Sequence, residues 1–235
     1  MSAVAIVVAA GAGDRLGRAE PKAFVRLAGV PLLVHAVRAL RAAETVQALV
    51  VVVARDRCEQ ARALLAEHGL TVAAVCAGGA TRPSSVRRGL ESVPRAHATV
   101  AVHDAARALV TSALVDRTIR ALEPPWAAVA PGLPLVDTVK LVDASRERVL
   151  RTVDRRGLWS VQTPQVFARE TLQAVHERLD AADATDDLSL VERAGGRVRL
   201  VEGERRNFKI TYPEDLVIAE ALLAAPGVGT AMDEA

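Results

Sequence analysis

Aromatic residues are scarce in this chain: two tryptophans, one tyrosine and three phenylalanines in 235 residues. That is too few to build the base-stacking platforms of single-strand nucleic-acid binders. Thirty basic residues stand against 28 acidic ones with no long basic run, which also argues against a nucleic-acid partner. The two cysteines, Cys58 and Cys76, form no CxxC pair and cannot frame a disulfide scaffold or a zinc site. Apolar runs such as Ala3–Ala10 and Ala48–Ala54 fall well short of the ~20 residues of a membrane span. No basic leader with a cleavage site opens the sequence, so a cytoplasmic location is expected. What is present is an ordinary globular composition, 51% hydrophobic and 25% charged, long enough for a full core.

Lysine is also rare. Of the thirty basic residues, 27 are Arg, and the lysines are Lys22, Lys140 and Lys209 alone. The two side chains differ in geometry and hydration, so a position that keeps Lys draws attention. Asn207 is the single asparagine and Tyr212 the single tyrosine.

Ala3–Ala10 is a β-branched run ending in Gly11, which reads as a buried parallel strand. Pro31–Ala43 then carries helical spacing behind an opening proline. Further alternation follows: strands at Ala48–Val53, Thr71–Cys76, Thr99–His103 and Trp126–Ala130, and helices at Cys58–Glu67, Ser84–Ser92 and Ser112–Leu122, the last with Ser112 as N-cap. Strand–helix alternation of this kind predicts a Rossmann-like, mostly parallel sheet with helices on both faces, an α/β single domain. The pattern breaks at Pro131. Leu135–Val142 and Arg148–Val153 flank a polar stretch and predict a hairpin arm inserted near residues 134–157. Helices are then expected at Arg169–Leu179, Asp186–Ala194 and Pro213–Ala224, with a strand at Val198–Val201. Residues 1–225 make the domain, and 226–235 a fraying tail.

Gly11-Ala12-Gly13-Asp14-Arg15-Leu16-Gly17 follows the first strand. It lacks the third glycine of a dinucleotide fingerprint, because Leu16 stands there, and no Gly-Lys-Ser/Thr completes a Walker A loop. A glycine turn followed by Arg15, Arg18 and Lys22 suits a triphosphate, whose oxygens approach backbone N–H groups and cations. A tight turn with solvated charges is the alternative. Asp104 ends the fourth strand, where an open α/β sheet places its ligands, and is a candidate for Mg²⁺ or else a helix cap. Gly78-Gly79 after the third strand and Asn207-Phe208-Lys209 near the chain's end complete a set of strand-tip segments.

AAGAGDRLG with Pro21-Lys22, AGGATRPSSV, VHDAAR, Asp137-Thr138-Val139-Lys140, Arg155, Thr163-Pro164-Gln165, Thr185-Asp186-Asp187 and NFKIT, in this order, resemble the 2-C-methyl-D-erythritol 4-phosphate cytidylyltransferase family. The likeness runs from Ala9 to about Leu223. It implies a nucleotide-diphospho-sugar transferase-like fold and the reaction of CTP with methylerythritol 4-phosphate, giving the cytidyl diphosphate and pyrophosphate, with Mg²⁺. It also implies that Arg15, Lys22 and Lys209 serve the phosphates, and Ala10, Gly11, Ala12, Gly13, Gly79 and Ser85 hold CTP. Asp104 is then near the metal, with Arg107, Thr163 and Thr185 at the polyol phosphate. In a homodimer joined through the arms, Thr138 and Arg155 reach the neighbour's crevice. Ala108 and Ala80 depart from the family pattern, where proline and an acidic residue are common. No Ser-His-Asp or Cys-His nucleophile set is apparent, and a phosphate nucleophile needs none. A cytidylyltransferase for ribitol 5-phosphate, a sugar 1-phosphate or molybdopterin nucleotidyltransferase, and a non-catalytic nucleotide sensor remain the competing readings.

Overall fold

A computed structural model describes residues 2–11, 14–17, 20–94, 96–178, 184 and 186–225. Ala12, Gly13, Thr185 and the expected tail therefore lie outside the described residues. Strand β1 (Ala3–Ala9) is followed by a small hairpin, β2 (Arg26–Leu27) and β3 (Val30–Pro31), then helix α1 (Leu32–Arg41). Next come β4 (Val46–Val53), α2 (Cys58–Glu67), β5 (Ala74–Ala77), α3 (Arg82–Glu91), β6 (Thr99–Asp104) and α4 (Ser112–Arg120). The second half holds β7 (Ala128–Pro134), β8 (Val139–Val142), β9 (Val149–Val153), β10 (Trp159–Val161) and β11 (Gln165–Ala168). It closes with α5 (Arg169–Arg178), α6 (Asp187–Arg193), β12 (Val198–Glu202) and α7 (Pro213–Ala224).

The expected alternation is present as one mostly parallel sheet. β1 lies between β4 and β6, parallel to both, and β5 extends β4. The chain thus builds outward on one side of β1 and then crosses to the other, which creates a topological switch beside β1. Alternate residues of β1 serve opposite layers. Ala3, Ala5 and Val7 pack with Leu33, Val37, Ala61, Leu65 and Leu114 of α1, α2 and α4. Val4 and Ile6 pack with Val86, Leu90, Leu172 and Leu190 of α3, α5 and α6. A sheet buried on both faces accounts for its continuous Val/Ala/Ile runs.

Several local expectations shift. The α4 cap is Thr111 rather than Ser112: Thr111 is extended and its side chain accepts from Leu114 N (3.1 Å). The strand expected to end at Ala130 runs on through Pro131 to Pro134, because β12 and β10 supply partners on both edges. Strands β10 and β11 were not foreseen. They are three and four residues long, pair antiparallel with β7 and β6, and owe their state to those distant partners rather than to any local pattern. The arm is a separate two-stranded sheet in which Val139 faces Val153 across the ribbon. Its apolar residues stay exposed, among them Val149 (53%), Leu150 (49%) and Leu141 (44%).

Candidate functional site

The parallel strands end level with one another. Val8 lies opposite Asp104, Ala9 opposite Val53, and Val53 opposite Ala77. Three loops therefore leave the sheet at a common rim, at the switch point, and enclose a cleft of about 280 Å³. Ala10 and Gly11 form one wall, Gly79 to Arg82 with Ser85 a second, and Asp104 to Ala106 the floor. Gly78 is required by close approach: a Cβ there would meet Ala10 Cβ at 2.5 Å and Ser85 Oγ at 2.8 Å. The turn then becomes α3, capped by Thr81, which accepts from Ser84 N (3.2 Å).

Arg15, Lys22, Arg82 and Lys209 line this cleft, against Asp104 as its only carboxylate among the described residues. A concave site with that surplus of cations draws a polyanion. Each cation is held differently. Lys209 Nζ donates to Asp104 Oδ2 (2.7 Å). Arg82 Nε donates to Asp104 Oδ1 (3.1 Å), and its NH1 to Asp187 Oδ2 (2.7 Å). Arg15 lies over the Tyr212 ring at 6.0 Å. Lys22 has no ion-pair partner among the described residues. Burial, then the charges of Lys209 and Arg15, push its ammonium down to about 8. Burial alone would raise the Asp104 carboxyl, but Arg82 and Lys209 outweigh it and hold Asp104 well below the usual carboxylate range.

Behind the floor lies a neutral histidine. His103 is fully enclosed, and burial pushes its ring down to about 4. Nε2 faces the Arg107 carbonyl (3.3 Å), which only accepts, so Nε2 carries the proton and Nδ1 accepts from the Thr163 hydroxyl (2.9 Å). Thr163 Oγ in turn accepts from Asp104 N (3.2 Å). Arg107 donates to the carbonyls of Asn207 (2.8 Å) and Val161 (3.2 Å), leaving its Nε without a partner. Asn207 Nδ2 donates to Gln162 Oε1 (3.2 Å) and Thr163 O (2.8 Å), which fixes the loop that carries Lys209.

The cleft thus gathers Ala10, Gly11, Arg15, Lys22, Gly79, Ser85, Asp104 and Lys209 from across the chain, with Arg107 and Thr163 beside them. Ser85 is buried, and its hydroxyl donates to Thr81 O (2.9 Å). Thr138 and Arg155 do not line this cleft; Arg155 donates within the arm to Val136 O. Arg82, Asp187 and His176 were missed as site residues. Arg82 stands inside the ATRPSS segment and Asp187 inside Thr185-Asp186-Asp187, but neither segment shows that the two side chains meet, and His176 is brought there only by α5.

Among the described residues, no three His, Cys, Asp or Glu side chains gather as a cage for a metal. A carboxylate has about four lone pairs, and Asp104 uses one on Arg82 and one on Lys209. Those remaining fit a Mg²⁺ carried in on a polyphosphate, which takes one carboxylate and keeps its waters. They do not fit a metal held by the chain alone.

Comparison with known proteins agrees with this geometry. A family model described as 2-C-methyl-D-erythritol 4-phosphate cytidylyltransferase matches residues 3–225. A protein of that name from Streptomyces avermitilis is 45% identical over 228 residues, 94% of this chain and 91% of the relative. The crystal structure of the same-named protein from Thermus thermophilus is 35% identical, with a TM-score of 0.76 over 96% of this chain and all of the other. A 4-diphosphocytidyl-2C-methyl-D-erythritol synthase from Anaerococcus prevotii superimposes with a TM-score of 0.82 at 28% identity, covering 95% of this chain and 96% of that one. No helix among the described residues is long and apolar enough to cross a membrane.

Proposed function

The chain belongs to the 2-C-methyl-D-erythritol 4-phosphate cytidylyltransferase family, and we propose that the cleft at the strand tips is where it works. It is a nucleotidyltransferase of isoprenoid biosynthesis by the non-mevalonate route. CTP and 2-C-methyl-D-erythritol 4-phosphate become 4-diphosphocytidyl-2-C-methyl-D-erythritol and pyrophosphate.

The observation that carries the assignment of residues is the convergence of Arg15, Lys22 and Lys209 on one cleft beside Asp104. The acceptor phosphate is already anionic near neutral pH, so a general base has nothing to add. The barrier is repulsion between two anions and the charge growing on the α-phosphorus, and fixed cations lower both. Lys22 and Lys209 act as compact charges, and Arg15 grips phosphate with two donors. Ala10 and Gly11 bring backbone N–H groups to the triphosphate, while Gly79 and Ser85 border the base; Ala12 and Gly13, outside the described residues, are assigned to CTP by resemblance to the family alone. Arg107 and Thr163 face the polyol phosphate, with Arg107 supplying charge; Thr185, outside the described residues, is assigned to the same phosphate by resemblance to the family alone. Asp104 would hold a Mg²⁺ that arrives with the triphosphate, and that ion would supply further charge neutralisation.

The acting unit is a homodimer joined through the arms. A lone two-stranded ribbon is marginal in water, and exposed Leu141, Val149 and Leu150 gain a partner surface when two arms meet about a two-fold axis. Thr138 and Arg155 then complete the neighbour's polyol phosphate site. A cytoplasmic location belongs to the same reading, since CTP is drawn from that pool. The test is pyrophosphate release from CTP and methylerythritol 4-phosphate with Mg²⁺, beside ribitol 5-phosphate. Equal turnover of ribitol 5-phosphate would refute the polyol assignment, and release without either acceptor would refute transfer.

A further inference from the structure

The residues behind the cleft form one continuous line of charge. His176 on α5 and Asp187 at the start of α6 are closed off from water, with side chains 2% and 0% exposed. His176 Nε2 and Asp187 Oδ1 are 2.9 Å apart. A carboxylate whose pKa lies below the usual range accepts only, so Nε2 carries the proton. Burial works against the Asp187 charge, but the bond from His176 and the Arg82 guanidinium keep its carboxyl low. Its other oxygen takes Arg82 NH1. Arg82 then spans to Asp104 through Nε, and Asp104 to Lys209 Nζ.

A buried ion pair is weak evidence for stability, because apolar residues of like volume stabilise as well or better. What such a pair does provide is position. Arg82 sits on the first turn of α3, and its rigid planar fork reaches one carboxylate through Nε and another through NH1. The Asp187 end cannot move without leaving a buried charge unpaired. Lys209 has a flexible stem, and Asp104 is its only ion-pair partner among the described residues. We propose that Arg82, anchored by the buried Asp187–His176 pair, is a positioning residue that fixes Asp104 and, through it, the Lys209 ammonium. This rests on the assignment of the cleft to CTP and its reaction. The line gives Asp104 a role among the cations of the cleft's described lining: it is a fixed strut between Arg82 and Lys209.

The chain's three lysines make a test independent of turnover. Each is acetylated by limiting acetic anhydride, and mass spectrometry reads Lys22, Lys140 and Lys209 separately. In Asp187→Asn and in Arg82→Lys, Lys209 should be acetylated several-fold faster than in wild type. Lys140, on the arm, should not change. Unchanged Lys209 labelling in folded variants overturns the proposal, and so does equal acceleration at all three lysines, which marks general loosening. If Asp187→Asn does not fold, His176→Gln carries the same measurement.

Kinetics add a double-mutant cycle on pyrophosphate release. Asp187→Asn should lower kcat about tenfold with little change in KM for CTP, and should cost almost nothing further in Lys209→Ala. Additive losses overturn the positioning role. A wild-type enzyme that releases no pyrophosphate instead refutes the functional reading, and the labelling result still judges the strut.

Discussion

The cleft and the arm solve opposite problems. In the cleft, charged and polar side chains are held in place by one another and by buried partners: Arg82 by Asp187, Asp104 by Arg82 and Lys209, Thr163 by a neutral His103. In the arm, apolar side chains stand in water on both faces of a two-stranded ribbon. The cleft's described side chains are tied to one another within one chain, and their charge is directed inward at a ligand. The arm lacks a core of its own, and its contribution depends on what it meets. Chemistry that needs fixed cations belongs to the first region, and a contribution from another subunit to the second.

The largest expected effect breaks the cleft. Lys22→Ala and Lys209→Ala should each lower kcat by ~10²–10³-fold, the scale of losing one preorganised donor, with thermal unfolding little changed since neither lies in the core. Steady-state kinetics beside a melting curve decides it, and near wild-type kcat in either would end the phosphate-clamp reading. Lys22→Arg should also lose activity, because a planar fork cannot occupy a point-charge site.

The next separates the two regions. Lys22→Ala and Arg155→Ala should each be nearly inactive alone, but hybrids should regain roughly a quarter of wild-type activity if the arm acts in trans. With random pairing, half the dimers are hybrids and half their crevices are intact. No recovery on mixing would place the arm in its own subunit. Leu141→Asp with Val149→Asp should give a monomer by sedimentation that still binds CTP.

A smaller effect concerns Lys22 as an acid. Its ammonium is pushed down to about 8, so the cation is present below that pH and lost above it. The free enzyme's kcat/KM for CTP should fall by up to ~10-fold per pH unit beyond there. A profile flat to pH 9.5 would contradict the burial ascribed to Lys22.

The mildest is one of stability. Burial lowers the folded His103 ring from 6.5 to about 4, so the unfolded chain binds the proton more readily. Stability from this group is complete above pH 6.5 and drains away as pH falls toward 4, by ~3 kcal/mol in all. Denaturant melts at pH 7 and 4.5 should differ accordingly in wild type, and less in His103→Gln.

The amino-acid pattern alone determined most of the first half of the fold, because its central strands are continuous Val/Ile/Ala runs and its helices have apolar faces of their own; the β2–β3 hairpin and the start of β5 at Ala74 rather than Thr71 were not legible in it. Local chemistry also marked Lys22, Lys209, Asp104 and the glycine turns, since such residues at strand carboxyl ends have few other uses. Tertiary structure decided what no local signal encodes. Strands β10 and β11 are strands only because β6 and β7 offer them edges. His176 reads as an ordinary helix residue, and Asp187 as part of the Thr185-Asp186-Asp187 segment with no role of its own, until α5 and α6 bring them to Arg82. Burial and the meeting of opposite charges arise when distant segments pack, so the pKa of Lys22, the neutrality of His103 and the fixed direction of Asp104 come into being only with the folded chain.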